Sequence, residues 1–129
     1  MGLAFSQYLY GCHATYEILA GGLLYVTGSA GAFDPLQAEH TTASDKMWKR
    51  VQGGAFMTLG YLGVIALSNK CPGTKRAVNK SCGLYHAITF ATLPLAMKEG
   101  YKVEKELIIF NPHLWMAVGF GSLLLGYTE

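Results

Sequence analysis

The sequence predicts an all-α integral membrane protein, folded as a bundle of four helices. Its 129 residues are 51% hydrophobic and only 14% charged, whereas about 25% of the residues in an ordinary soluble domain are charged. The charges are concentrated in three islands, at residues 34–50, 70–80 and 98–106, and the long segments around them are almost free of charge. A soluble bundle needs charged side chains on the outer face of every helix. Their absence favours helices that face lipid.

The four weakly charged segments define the helices. Each approaches the roughly 20 residues that a helix needs to cross the hydrocarbon core of a bilayer. Because 129 residues are enough for one domain but not comfortably for two, we expect a single transmembrane domain over residues 1–129. Its spans are predicted near residues 3–27, 47–69, 78–97 and 106–127.

Polar residues beside the spans indicate where helices start. Ser44 or Asp45 can cap the second helix, because short polar side chains accept hydrogen bonds from the first free backbone amides. The fourth helix has two possible starts. Asn111 can cap a helix that begins at Pro112, since proline is favoured at the first helical position. Alternatively, Pro112 kinks a helix that begins near Lys105.

Small residues within the spans predict close helix packing. The chain contains 16 glycines, and in lipid a glycine or alanine lets two helix backbones approach each other. The spacing predicts packing within the bundle, or against partner subunits. The predicted packing residues are Gly53, Gly60 and Gly63 in the second span, Gly83, Ala87 and Ala91 in the third, and Gly121 and Gly126 in the fourth.

A polar face interrupts the first span. Tyr10, His13 and Glu17 follow steps of three and four residues, so they share one side of a helix. A carboxylate in hydrocarbon is costly unless it is neutralised or paired, and this face should therefore point away from lipid. Across from it, the sequence offers Arg50 in the second span and His86 in the third as candidate partners.

Three interpretations of these polar residues compete. In the first, Glu17 makes a structural intramembrane contact with His13, Arg50 or His86. In the second, imidazoles bind a haem iron or a chlorophyll magnesium, with His13, His86 and His113 as the candidate ligands. In the third, Glu17 and the histidines relay protons or ions. A di-metal centre is disfavoured because it needs several carboxylates, and the sequence does not identify any other metal.

The function predicted from these features is that of a non-catalytic accessory or assembly subunit in a larger membrane complex. No G-x-S-x-G, H-E-x-x-H, Walker or CxxC motif occurs, and a net charge of +2 is too small to indicate nucleic acid as a partner. The expected partners are membrane lipids, some of them bound, and other membrane subunits. An organellar inner membrane is the expected location. A mitochondrial respiratory or ATP-synthesising complex is the first expectation, and a thylakoid complex the second.

The alternative is a small stand-alone membrane protein with its own chemistry. It could be a haem- or pigment-binding redox protein, a proton-coupled carrier, or a scaffold for lipid or sterol enzymes. The layout of short spans, with "RVQGGAFMTLG" opening the second and "LYHAITFATLPL" in the third, resembles that of small four-helix scaffold proteins of sterol biosynthesis in the endoplasmic reticulum. The resemblance is one of topology and carries no site residue with it.

Overall fold

The computed structural model describes residues 4–28, 42–98 and 111–126. Helices cover 92% of these residues and none of them is in a strand, so the all-α prediction is confirmed. The four helices are α1 (Phe5–Thr27), α2 (Ala43–Ser68), α3 (Pro72–Lys98) and α4 (Pro112–Leu125).

The second helix begins earlier than predicted. Thr42 is its N-cap, and the Thr42 hydroxyl oxygen accepts a hydrogen bond from the Asp45 amide at 3.2 Å. In return, an Asp45 carboxylate oxygen accepts from the Thr42 amide at 2.8 Å. These reciprocal bonds form a capping box, which satisfies two backbone donors at once. Ser44 and Asp45 are therefore inside the helix and neither is its cap.

The fourth helix begins at Pro112 with Asn111 as its N-cap, which confirms the first of the two predicted starts and makes the helix shorter than the span predicted at 106–127. The Asn111 side-chain oxygen accepts a hydrogen bond from the His113 amide at 2.9 Å, and Pro112 occupies the first turn. The helix ends where Gly126 adopts a left-handed conformation, with φ of 74°. Residues 106–110 of the predicted span lie outside the described residues.

The lengths and the apolar character of the helices together support fewer membrane spans than the sequence predicted. Among the described residues, α2 is the one helix long and apolar enough to cross a membrane. α4 is apolar but has 14 residues, or about 21 Å of helix. α3 begins with a polar, cationic turn, and α1 carries buried polar side chains. The prediction of four full-length spans is thus not confirmed.

Glycines hold α1 and α2 in direct backbone contact. A Cβ atom added at Gly53 would lie 2.5 Å from the Gly21 carbonyl oxygen, and one added at Gly60 would lie 3.1 Å from the Ala14 carbonyl oxygen. At Gly63 the added atom would also meet the α1 backbone, at 3.0 Å. In these contacts, later residues of α2 meet earlier residues of α1, so the two helices are antiparallel.

The small residues predicted to pack in α3 and α4 behave differently from those in α2. A Cβ atom at Gly83 would lie 3.3 Å from that of Phe120, so Gly83 is at the α3–α4 contact. Ala87 and Ala91 are exposed instead of packed. Of these three residues, which follow one another at steps of four, Gly83 is the one that the structure places against α4.

The two glycines predicted to pack in the fourth span also have other positions than expected. An added Cβ atom at Gly121 would meet nothing within 4 Å, and Gly126 serves as the helix C-cap. The packing glycine of this helix is Gly119, where an added Cβ atom would lie 2.8 Å from a methyl group of Leu9.

All four helices contribute to one cluster of buried apolar side chains. The cluster links the N-terminal half of α1 to the C-terminal part of α2, the middle of α3 and the body of α4. Its buried members are Leu9, Tyr10, Ala66, Val78, Cys82, Met116 and Phe120.

The α1–α2 contact predicts opposite outcomes for two adjacent glycines. Gly53→Ala should lower the free energy of unfolding by about 1–3 kcal/mol, because the new methyl group forces the backbones apart. Gly54→Ala is the matched control, since a Cβ atom there meets nothing within 4 Å, and it should be neutral or stabilising by up to about 1 kcal/mol. Denaturant unfolding of the purified protein in detergent measures both. Equal effects of the two substitutions would contradict the described contact.

The connector between α2 and α3 holds an exposed thiol with altered acidity. Cys71 immediately precedes the first residue of α3. Hydrogen bonds from the Thr74 amide and hydroxyl and from the Gly73 amide favour the thiolate, so the pKa of Cys71 lies below its ordinary value of 9.0.

Alkylation of Cys71 should therefore reach half its maximal rate at a lower pH in the folded protein than in the unfolded chain. The sign follows because the bonds stabilise the deprotonated form, which is also the nucleophile. Thr74→Ala removes the hydroxyl donor and should move the midpoint upward towards the unfolded value. Mass spectrometry of iodoacetamide-treated protein across the pH range measures the midpoint. An unshifted midpoint in the folded protein would refute the described hydrogen bonds.

Candidate functional site

Four polar side chains from three helices meet inside the bundle. His13 and Glu17 lie one turn apart on α1, α3 contributes His86, and α4 contributes His113 from its first turn. His13, Glu17 and His86 have no exposed surface. Asn111 caps the N-terminus of α4 and thereby places His113 in the first turn of that helix. We call these four residues the histidine–glutamate cluster.

The three histidines form a continuous hydrogen-bonded chain. His13 Nε2 lies 3.0 Å from the carbonyl oxygen of Leu59, His86 Nε2 lies 3.0 Å from His13 Nδ1, and His113 Nδ1 lies 2.8 Å from His86 Nδ1. A carbonyl oxygen can only accept, so His13 donates from Nε2 and accepts at Nδ1. His86 then donates from Nε2, and His113 donates from Nδ1. One set of neutral tautomers thus satisfies every link.

Aromatic rings hold the imidazoles in place. The His86 ring is nearly parallel to the Phe120 ring, with an interplanar angle of 6° and centroids 6.0 Å apart. The His13 ring meets Phe120 edge-on at 5.2 Å, and Tyr85 packs against His86 at 4.9 Å. The Cys82 thiol lies 3.3 Å from His13 Nε2. These contacts restrict ring rotation, so each ring presents the same nitrogen to its neighbour.

The Glu17 carboxyl group has no hydrogen-bond partner among the described residues, and neither has the buried Tyr85 hydroxyl. His86 Nε2 lies 3.7 Å from a Glu17 carboxyl oxygen, beyond hydrogen-bond distance. Both carboxyl oxygens of Glu17 are buried. Burial of a carboxyl group in this state is costly. The cost points to a proton or a cation as the group that neutralises Glu17.

Arg50 does not belong to the cluster, which corrects its prediction as a partner of Glu17. Its side chain is exposed near the start of α2. The antiparallel register explains why. Leu59 is level with the cluster, since its carbonyl reaches His13, and Arg50 lies nine residues away, or about 13 Å along the helix.

A second buried polar contact lies beside the cluster and was not predicted. The Tyr10 hydroxyl donates a hydrogen bond of 2.8 Å to the side-chain oxygen of Asn79, and both residues are buried. The spacing along α1 correctly placed Tyr10 on the polar face. No signal in the sequence indicated Asn79, because the pairing depends on how α3 is rotated against α1.

The geometry does not fit a tetrapyrrole held between His13 and His86. Two imidazoles on opposite sides of a metal hold their nitrogens about 4 Å apart, given bonds of about 2 Å each. The facing nitrogens here are 3.0 Å apart and hydrogen-bonded. A macrocycle between them would also overlap the rings of Phe120 and Tyr85, which pack against His86.

Comparison of the chain with protein-family models, with curated proteins and with solved structures gives no match. The geometry of the histidine–glutamate cluster and the distribution of apolar surface around it are the features of the molecule that bear on its function.

The Tyr10–Asn79 bond gives a test of the interior that is independent of the cluster. Tyr10→Phe should lower the free energy of unfolding by about 1–3 kcal/mol, because it leaves the buried Asn79 oxygen without its donor. Tyr8→Phe makes the same chemical change at an exposed position of α1 and should change stability little. Denaturant unfolding of both variants in the same detergent provides the comparison. A neutral Tyr10→Phe would contradict the buried bond.

Proposed function

We propose that the chain is a multi-pass membrane protein that serves as a non-catalytic accessory subunit of a larger membrane complex. The observation that carries this proposal is the reversed distribution of polarity. His13, Glu17 and His86 are fully buried, whereas each of the four helices exposes large apolar side chains. Examples, one from each helix in order, are Val26, Val51, Leu84 and Leu125, which are 73%, 57%, 64% and 73% exposed.

Exposed apolar side chains on every helix favour a surrounding of lipid or of other apolar helices. A soluble monomer rarely exposes large contiguous apolar patches. The length and composition of α2 are sufficient for a membrane span. The shorter α4 and the polar-faced α1 would reach across with the help of neighbouring helices or local thinning of the bilayer. Lipid acyl chains would cover the remaining apolar surface.

The face of α3 that carries Ala87 and Ala91 is suited to contact a helix of another subunit. Both residues are exposed although they follow the i, i+4 spacing of small residues. Small residues that stay exposed in the described part of the chain are suited to a close contact with a transmembrane helix of another subunit. The inner membrane of an energy-converting organelle, first the mitochondrion and its respiratory or ATP-synthesising complexes, remains the proposed location.

One observation favours a second candidate function, that of a proton-coupled carrier. The chain from His113 through His86 to His13 has links of 2.8 and 3.0 Å and lies beside the buried Glu17 carboxyl group. Such a chain can pass protons by exchanging tautomers. Under this candidate, Glu17→Gln would abolish proton-coupled transport while leaving assembly intact.

Extraction of the protein from its native membrane in a mild detergent tests the proposed function. We expect the 14.0 kDa chain to migrate within a much larger complex on a native gel, with partner subunits identified by mass spectrometry. Ala87→Leu should release it from the complex, since the added side chain blocks close helix contact. Ile88→Leu, at an exposed neighbouring position that is already large, should leave it assembled. Migration of the unaltered protein as a monomer or homodimer would contradict the subunit proposal.

A further inference from the structure

We propose that His13 Nδ1, His86 Nε2 and the Glu17 carboxylate bind one divalent first-row transition-metal ion. The donor atoms of these three residues all lie within 4.8 Å of one another, and all three side chains are buried. This proposal stands on the geometry of the histidine–glutamate cluster and does not depend on the membrane complex or on its partners.

The spacing of the donor atoms matches a small coordination sphere. Two ligand atoms on a tetrahedral ion with bonds of about 2.0–2.1 Å lie about 3.3 Å apart. His13 Nδ1 and His86 Nε2 are 3.0 Å apart, and His86 Nε2 lies 3.7 Å from a Glu17 oxygen. These two distances lie within about 0.4 Å of that separation, and the donor atoms of all three residues lie within 4.8 Å of one another.

The surroundings orient the two imidazoles in the way that metal-bound histidines require. A histidine ligand commonly donates its other ring N–H to a carbonyl or another acceptor, which fixes its tautomer. His13 has this arrangement, because its Nε2 faces the Leu59 carbonyl oxygen at 3.0 Å. His86 acquires it in the other tautomer, in which its proton lies on Nδ1 and is donated to His113 Nδ1 at 2.8 Å, while His113 carries its proton on Nε2. With those two N–H groups engaged, the remaining nitrogens direct their lone pairs at each other and at the space beside Glu17.

Glu17 supplies the independent evidence for a cation. It is fully buried, and neither of its oxygens has a hydrogen-bond partner among the described residues. Arg50 is too distant to neutralise it, and the histidine tautomers are satisfied without it. A divalent ion would coordinate the carboxylate directly and replace the His86–His13 hydrogen bond with two metal–nitrogen bonds.

The donor set selects the class of ion. Two imidazoles and one carboxylate suit zinc or ferrous iron, whereas Ca²⁺ and Mg²⁺ prefer oxygen ligands throughout. The nearby Cys82 thiol approaches Nε2 of His13 at 3.3 Å, the nitrogen opposite the proposed ligand atom. Sulfur is therefore not expected in the coordination sphere, which sets this site apart from one on the exposed Cys71.

Metal binding by the purified protein provides the test. The detergent-solubilised protein is stripped with a chelator, loaded with Zn²⁺ or Co²⁺, and freed of excess metal. We expect about one equivalent per chain and a rise in melting temperature on loading, because the ion binds the folded state. X-ray absorption of the zinc form should show nitrogen and oxygen ligands at about 2.0–2.1 Å and no sulfur shell at about 2.3 Å.

Variants assign the ligands. Glu17→Gln keeps the volume of the side chain but loses the anionic donor, and His86→Gln loses an imidazole. Each should abolish the stoichiometric uptake. His113→Gln should weaken binding by roughly 10–100-fold, as loss of an outer hydrogen-bond partner does. Asp45→Asn is the matched control, because it removes a carboxylate from an exposed position, and it should bind like the unaltered protein.

Two results would overturn the proposal. One is a folded, unaltered protein that takes up less than a stoichiometric amount of both ions. The other is a zinc form whose absorption spectrum contains a sulfur shell, which would place the ion on a cysteine. The spectrum is measured on the unaltered protein, so the test remains decisive even if Glu17→Gln or His86→Gln fails to fold.

Discussion

The backbone contact between α1 and α2 is the constraint on which the rest of the site depends. Gly53, Gly60 and Gly63 let the two helices approach until an added Cβ atom would collide with the opposite backbone. At that separation the Leu59 carbonyl reaches Nε2 of His13. This bond determines that Nε2 of His13 carries the proton. In the hydrogen-bonded chain, the tautomer of His13 in turn determines the tautomers of His86 and His113. The close contact between two helices, made possible by glycines, thereby determines which nitrogens of the histidines are protonated.

Burial of the hydrogen-bonded histidines reverses the usual distribution of polar and apolar side chains in the molecule. The helices place their imidazoles and a carboxyl group at the centre, and their large apolar side chains at the surface. In water this arrangement would be unfavourable on both counts. In lipid the apolar surface is solvated, and the polar groups are sheltered in the one place where they can find partners. The fold and the proposed location in a membrane therefore support each other.

Local features of the fold could be predicted from the sequence, and features of register could not. Helical periodicity placed His13 and Glu17 on one buried face, because that depends only on spacing within one helix. The Arg50 contact failed because the distance between Arg50 and Glu17 depends on the register of two antiparallel helices, and that register is set by where the glycines of α2 meet α1. Ala87 followed the spacing of a packing residue but is exposed, since the crossing point of two helices is not encoded in either helix alone.

The most direct measurement of the central claim is the accessibility of two cysteines in intact membranes. Cys12 and Cys71 are both exposed on the protein surface, but Cys12 lies within α1 and Cys71 lies in the α2–α3 connector. A membrane-impermeant maleimide is applied in turn to sealed and to opened vesicles, and each rate is divided by that of the same cysteine in the unfolded chain. The account predicts modification of Cys71 from one side of the membrane and protection of Cys12 by lipid. Equal normalised rates for the two cysteines would contradict it.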